Sequence, residues 1–205
     1  MTTDLILALA AYAFVSSITP GPNNLMLMAS GTNFGFTRTL PHMLGVALGF
    51  AVMILLVGAG LVQLFDAVPA SYLVLKVVSC AYLVYLAWKI ATAAPPASKA
   101  APGGGSKPFT FLQAALFQWV NPKAWTMALT AVTAFSLPMD PVASLIVIAL
   151  VFGGINLPSV GAWALMGAQL RRFLEDPVKL RVFNVTAALT LLATLYPVLA
   201  GRPGS

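Results

Sequence analysis

Within an apolar run over residues 5–28 the sequence reads Thr19-Pro20-Gly21-Pro22-Asn23-Asn24. Pro20 and Pro22 each remove a backbone donor and clash with the preceding turn, and Gly21 loosens the chain between them. A helix cannot pass through this stretch intact. The surrounding run has the length needed to cross ~30 Å of hydrocarbon. There, freed backbone groups are tolerated only where protein or a water-filled cavity satisfies them. A helix broken at membrane depth therefore marks a place where a solute binds.

Composition puts the rest of the chain in the same class. Of 205 residues 60% are hydrophobic and 8% charged, and mean hydropathy is +0.91. A water-soluble domain does not have this balance. Six apolar blocks follow one another, at 5–28, 41–65, 71–92, 109–136, 142–168 and 180–200. The N-terminus lacks a positive n-region and carries Asp4, so the first block is expected to stay as a span. Cys80 is the single cysteine, which excludes an intrachain disulfide.

With six spans, the loops after spans one, three and five share a side. They hold Arg38, Lys89, Lys99, Lys107, Arg171, Arg172, Lys179 and Arg181, whereas the opposite side has only Arg202 among Asp4, Asp66 and Asp140. This bias places the basic loops in the cytoplasm and both termini outside. It also accounts for the net charge of +6 without nucleic acid as a partner. His42, the only histidine, reads as an interfacial residue at the cytoplasmic end of span two. Gly45 and Gly49 read as a helix-packing face, and Pro41 as a first-turn proline.

The stretch 93–108 is low in complexity and rich in Ala, Pro and Gly, as expected of a flexible cytoplasmic linker. It divides a single transmembrane domain into repeat one, 1–92, and repeat two, 109–205. Span four carries a second break, Asn121-Pro122-Lys123, in which Asn at an N-cap and Pro at the first helical position start a new helix. Pro158, after Gly153-Gly154-Ile155-Asn156-Leu157, reads as a third break in span five. Three spans per half force opposite orientations on the two halves. The fold expected is all-α: six transmembrane helices in two inverted three-helix repeats, with helices one and four broken. Matching interruptions in inverted halves point to a transporter site at the midplane.

At such a site, Thr19 or Gly21 caps one half-helix and Asn121 the other, and the amides of each start attract a carboxylate. Lys123 adds a positive charge that is costly at bilayer depth and hence functional by default; its alternative role is to pair with a carbonyl and stabilise the break. Asn23, Asn24 and Asn156 offer amides to a substrate ammonium, and Asn24 serves equally well as a cap on the broken backbone. No Asp or Glu lies inside a span, which fits a small zwitterion better than a dication. Metal ligands, a nucleophile with its base, and cofactor motifs are all absent from the sequence pattern, so neither an enzyme nor a metal or cofactor protein is expected.

At these two breaks the chain resembles the lysine-exporter (LysE/RhtB) family of amino-acid efflux carriers. The residues that carry the resemblance are Ile18-Thr19-Pro20-Gly21-Pro22-Asn23-Asn24 and Asn121-Pro122-Lys123. Asn23-Asn24, the end of span three at Ala87-Trp88-Lys89-Ile90-Ala91, and Phe135-Ser136-Leu137-Pro138 are most similar to the branch exporting cysteine and O-acetylserine. The resemblance implies export of small neutral amino acids across the bacterial inner membrane, driven by the proton-motive force, by a homodimer. The competing readings are a six-span channel and a thiol-redox or metal-handling relative. Cys80 stands apart from the breaks, and the spans hold no cluster of carboxylates, His or Cys, which disfavours the last two.

Overall fold

The computed structural model describes residues 1–68, 70–93, 107–137, 140–174, 176–196 and 199. Among these residues all regular structure is helical: α1 Thr3–Ile18, α2 Pro22–Phe34, α3 Phe36–Leu56, α4 Val62–Ala67, α5 Ala70–Ala91, α6 Phe111–Phe117, α7 Pro122–Phe135, α8 Pro141–Leu170 and α9 Pro177–Ala193. A π-helical turn, Val57–Leu61, joins α3 to α4. A 3-10 turn, Gln118–Val120, follows α6. The linker expected at 93–108 falls largely outside the described residues.

Among the described residues three helices are long and apolar enough to cross a membrane: Phe36–Leu61, Ala70–Ala91 and Pro141–Leu170. The pair α1 and α2 makes a fourth if its two halves, bent by 55°, are one span. The segments expected as spans four and six form shorter helices. Large apolar side chains stand on the outside of the bundle, among them Leu73, Val74, Val77, Leu150 and Leu189. Such a surface is a liability in water and is matched by lipid.

α8 is the central post, packed against α1, α2 and α3, while α5 packs on α9 and α3 on α6. Missing side chains set how closely these helices approach. A Cβ on Gly31 would strike the carbonyl of Ala164, and one on Gly167 would strike that of Met28, so α2 and α8 meet backbone to backbone. Gly45 meets Phe111 and Ala114, and Gly49 lies against Ala115, in agreement with the packing role read from their spacing. One core cluster gathers Leu9, Phe50, Ile148 and Phe152 between α1, α3 and α8. A second joins Leu83, Leu86, Phe117 and Leu191.

Several local expectations are corrected. The connection between spans one and two contracts to Gly35, whose φ of 83° lies in the left-handed region that favours glycine. Pro41 lies inside α3, not in its first turn, because the helix begins at Phe36. Pro158 is not a break: α8 runs unbroken for 30 residues through it. One proline deletes one hydrogen bond, and α8 is held on several sides by packed neighbours that keep its axis in place. His42 is not interfacial. It is 1% exposed, stacked on Phe109 with ring centroids 5.1 Å apart.

Candidate functional site

α1 stops at Ile18 and α2 begins at Pro22, an arrangement that leaves Pro20 between the helices, places Pro22 at a first helical position and loses no interior hydrogen bond. The carbonyls at the end of α1 then need donors, and the structure supplies them from four places. The Thr19 hydroxyl donates to Ser16 O at 3.1 Å. The Asn24 amide donates to Ser17 O and Thr19 O, each at 2.8 Å. The Trp163 indole on α8 donates to Ile18 O at 2.9 Å. Lys123 Nζ donates to Thr19 O at 2.7 Å and Thr19 Oγ1 at 2.9 Å, and reaches Pro20 O at 3.4 Å.

The second break is built differently. The 3-10 turn of Gln118–Val120 ends at Asn121, and Pro122 opens α7. The Asn121 side chain accepts from the Lys123 amide at 3.2 Å, so this helix start is capped from within. α2 begins at Gly21 with no side-chain cap. The two starts are therefore unequal: the amides of α2 are the better anion site, and Asn121 competes with a ligand for those of α7.

The breaks face each other. Asn23 and Gln118 exchange both of their amide hydrogen bonds, at 2.8 and 3.2 Å, and Lys123 crosses from the second break to the first. Together with Gly21, Asn24, Asn121 and Asn156 they line a half-open cavity of about 20 Å³. Lys123 fills much of this space: a Cβ on Gly21 would lie 2.6 Å from its Cδ. A water needs ~10–15 Å³ of such volume, so the space holds little more than a water unless the lysine moves.

Six of the seven residues expected to bind a ligand line this cavity, and Thr19 joins them through Lys123, with altered roles for some. Thr19 is the C-cap of α1, not the N-cap of α2, and it presents oxygens to Lys123. Asn24 caps the broken backbone, and Asn23 ties the breaks together. Lys123 sits on carbonyls, the alternative role noted for it. Asn156 donates to Ser17 Oγ at 3.0 Å, while its buried Oδ1 has no protein partner. Of the four prolines, Pro20, Pro22 and Pro122 make the breaks and Pro158 does not.

Sequence reasoning missed Ser17, Gln118 and Trp163. Ser17 had a signal, a polar residue just before the break in an apolar run. So did Gln118, an amide within the interrupted turn. Trp163 had none, because its partner is 145 positions away.

The sequence model of the family described as LysE type translocator matches residues 14–194 of the chain. The Cysteine/O-acetylserine efflux protein of Escherichia coli (strain K12) is 32% identical over 193 residues, covering 94% of this chain and 96% of that protein. The proteins of the same name from Escherichia coli O139:H28 (strain E24377A / ETEC) and Shigella sonnei (strain Ss046) match over the same shares at the same identity. No solved structure matches the chain significantly.

Proposed function

The chain belongs to the LysE type translocators, and on that premise we propose that it is a secondary exporter of small neutral amino acids. O-acetylserine and cysteine head the candidates, because relatives matching nearly the whole chain are named for their efflux. The proposal includes six spans in two inverted halves, with α6 and α7 together forming span four and α9 span six. It also includes a bacterial inner-membrane location with both termini periplasmic, a homodimer, and coupling to the proton-motive force.

One observation carries this reading: the two proline breaks meet at one polar cavity, joined by Asn23, Gln118 and Lys123. A zwitterion finds both of its complements there. The carboxylate fits the uncapped start of α2 and the Lys123 ammonium. The substrate ammonium fits the Thr19 and Pro20 carbonyls at the negative end of α1, together with Asn156 Oδ1.

Those carbonyls already hold a cation, Lys123 itself. Entry of substrate is then an exchange: the ligand ammonium takes the seat of the lysine, and the released lysine turns to the ligand carboxylate. No step leaves an unpaired charge in a low-dielectric setting, which would be costly.

The test is a panel of labelled amino acids loaded into proteoliposomes, with efflux followed with and without a pH gradient. Saturable, gradient-dependent efflux of O-acetylserine or cysteine is the expected result. Non-saturating leakage would identify a channel instead.

A further inference from the structure

A second cavity, of about 60 Å³, lies at the other end of α2. It is bordered by Ser30 and Asn33 of α2, His42 of α3, Lys89 of α5, and Lys107 and Phe109 ahead of α6. Neither lysine takes part in the break site. Ser30 is about 9 Å along the α2 axis from Asn24, at ~1.5 Å per residue, so one helix connects the two cavities.

The chemistry of the lining is one-sided. Among the described residues two lysines border the cavity, and none that borders it is acidic. Asn33 is already committed: its amide donates to Ala29 O and Asn184 Oδ1, and its oxygen accepts from Asn184. Thr39 donates to Gly35 O, which leaves Ser30 as donor in the bond it shares with Thr39. His42 is the exception. It is 1% exposed, and neither ring nitrogen has a hydrogen-bond partner among the described residues, although an imidazole always has a nitrogen-bound proton to give. Phe109 holds the group together, with His42 stacked on its ring and Lys89 Nζ 5.8 Å from its centroid.

Two cations, an uncommitted imidazole and no carboxylate suit a small anion and give an ammonium nothing to pair with. We propose that this cavity is a second binding site, one that takes the carboxylate of a small organic acid or amino acid. Resting on the export reading, its place at the basic end of the bundle makes it the cytoplasmic loading site. A substrate caught there by its carboxylate moves along α2 to the breaks, where its ammonium is first recognised. The two sites differ in what they require: the break site needs both charges of a zwitterion, and the loading site needs the anion alone.

That difference sets the experiment. Labelled N-acetyl-L-serine, an anion without an ammonium, is titrated onto the full chain in phosphatidylcholine nanodiscs. Saturable binding at one per chain is expected. It should weaken about tenfold or more in Lys89→Gln and in Lys107→Gln, persist in Lys89→Arg, and survive Lys123→Ala. Lys107 is exposed, so its variant keeps the test valid if Lys89→Gln prevents folding. Absence of saturable binding overturns the proposal, as does wild-type binding in both Gln variants. Complete displacement by phosphatidylglycerol also overturns it and assigns the cavity to a lipid headgroup. Lysine-dependent binding in a protein that fails the efflux assay leaves this site standing and removes the export reading; efflux without such binding does the reverse.

Discussion

Replacing Lys123 by Met separates the two roles its side chain has in this architecture. Methionine keeps most of the length and removes the charge. For the fold, the loss is small. Thr19 O keeps its bond from the Asn24 amide at 2.8 Å, and Thr19 Oγ1 still donates to Ser16 O. What disappears is the charge-assisted hold of one ammonium on Thr19 O, Thr19 Oγ1 and Pro20 O in a partly open position, worth about 1.5–3 kcal/mol and offset in part by no longer desolvating an ammonium. For transport, the loss is large, because Lys123 is the one charged residue bordering the break cavity among the described residues. A substrate carboxylate deprived of that partner loses about 2–5 kcal/mol, roughly 30- to 5,000-fold in affinity. Efflux from proteoliposomes is the assay, with thermal unfolding in detergent as the control on folding. Lys123→Met is expected to melt within a few degrees of wild type and to export at least about 30-fold more slowly. Export within threefold of wild type would show that the lysine only clamps the broken backbone. Gly21→Ala provides an independent check. Its methyl would lie 2.6 Å from Lys123 Cδ, so it unseats the lysine without deleting it and should slow export by an intermediate amount.

Other residues give sharper structural outcomes. Asn24→Ala strips a donor from Ser17 O and Thr19 O at a buried helix end and should destabilise the protein by about 2–4 kcal/mol, read as a lower melting temperature. Asn156→Leu removes the unpartnered Oδ1 together with the amide that donates to Ser17 Oγ, so a stability loss of about 1–3 kcal/mol is expected while the efflux KM rises about tenfold. Gly167→Ala drives a methyl into the backbone of Met28. Backbone cannot yield as a side chain does, so a loss of about 1–3 kcal/mol or more is expected, seen as reduced folded protein by size-exclusion chromatography. A double-mutant cycle of Asn23→Leu and Gln118→Leu should return a coupling of about 0.5–2 kcal/mol, and a value near zero would mean that the breaks are not energetically joined.

The breaks were legible because their chemistry is local. Two prolines separated by glycine cannot all be absorbed by one helix, and Asn-Pro is a start signal wherever it occurs. Pro41 and Pro158 show the limit of that logic. Each is a lone proline costing ~3 kcal/mol in a helix interior, and tertiary packing outweighs such a term: α3 and α8 run through them, held against neighbours at Gly45, Gly49 and Gly167. The glycine contacts themselves were half visible. Spacing identified Gly45 and Gly49, whereas Gly31 and Gly167 face each other's helices across 136 positions of sequence and no local pattern pairs them. His42 was misplaced for a related reason. Hydropathy puts a histidine near a span end at the interface, but the ring of Phe109, from the other half of the chain, covers it. Span count suffers in the opposite direction: composition shows six apolar blocks, and the breaks divide some of them into pieces shorter than a membrane.

The same geometry explains why a lysine, rather than an arginine or a neutral side chain, suits the second break. The end of α1 offers oxygens that point to one spot, Thr19 O, Thr19 Oγ1 and Pro20 O, which suits a compact ammonium with three donors. The α-ammonium of an amino acid has that same shape and donor count, so in the proposed exchange the lysine holds the seat that the substrate takes. Exchange between two like groups needs no change in the charge of the seat and little change in its hydrogen bonds. A planar guanidinium would fit those oxygens less well and would be larger than the group that displaces it, so Lys123→Arg, despite keeping the charge, should export poorly and lose its preference between substrates with and without a free ammonium. An arginine variant with wild-type export would mean that charge alone matters at this position, and the exchange would lose its structural basis.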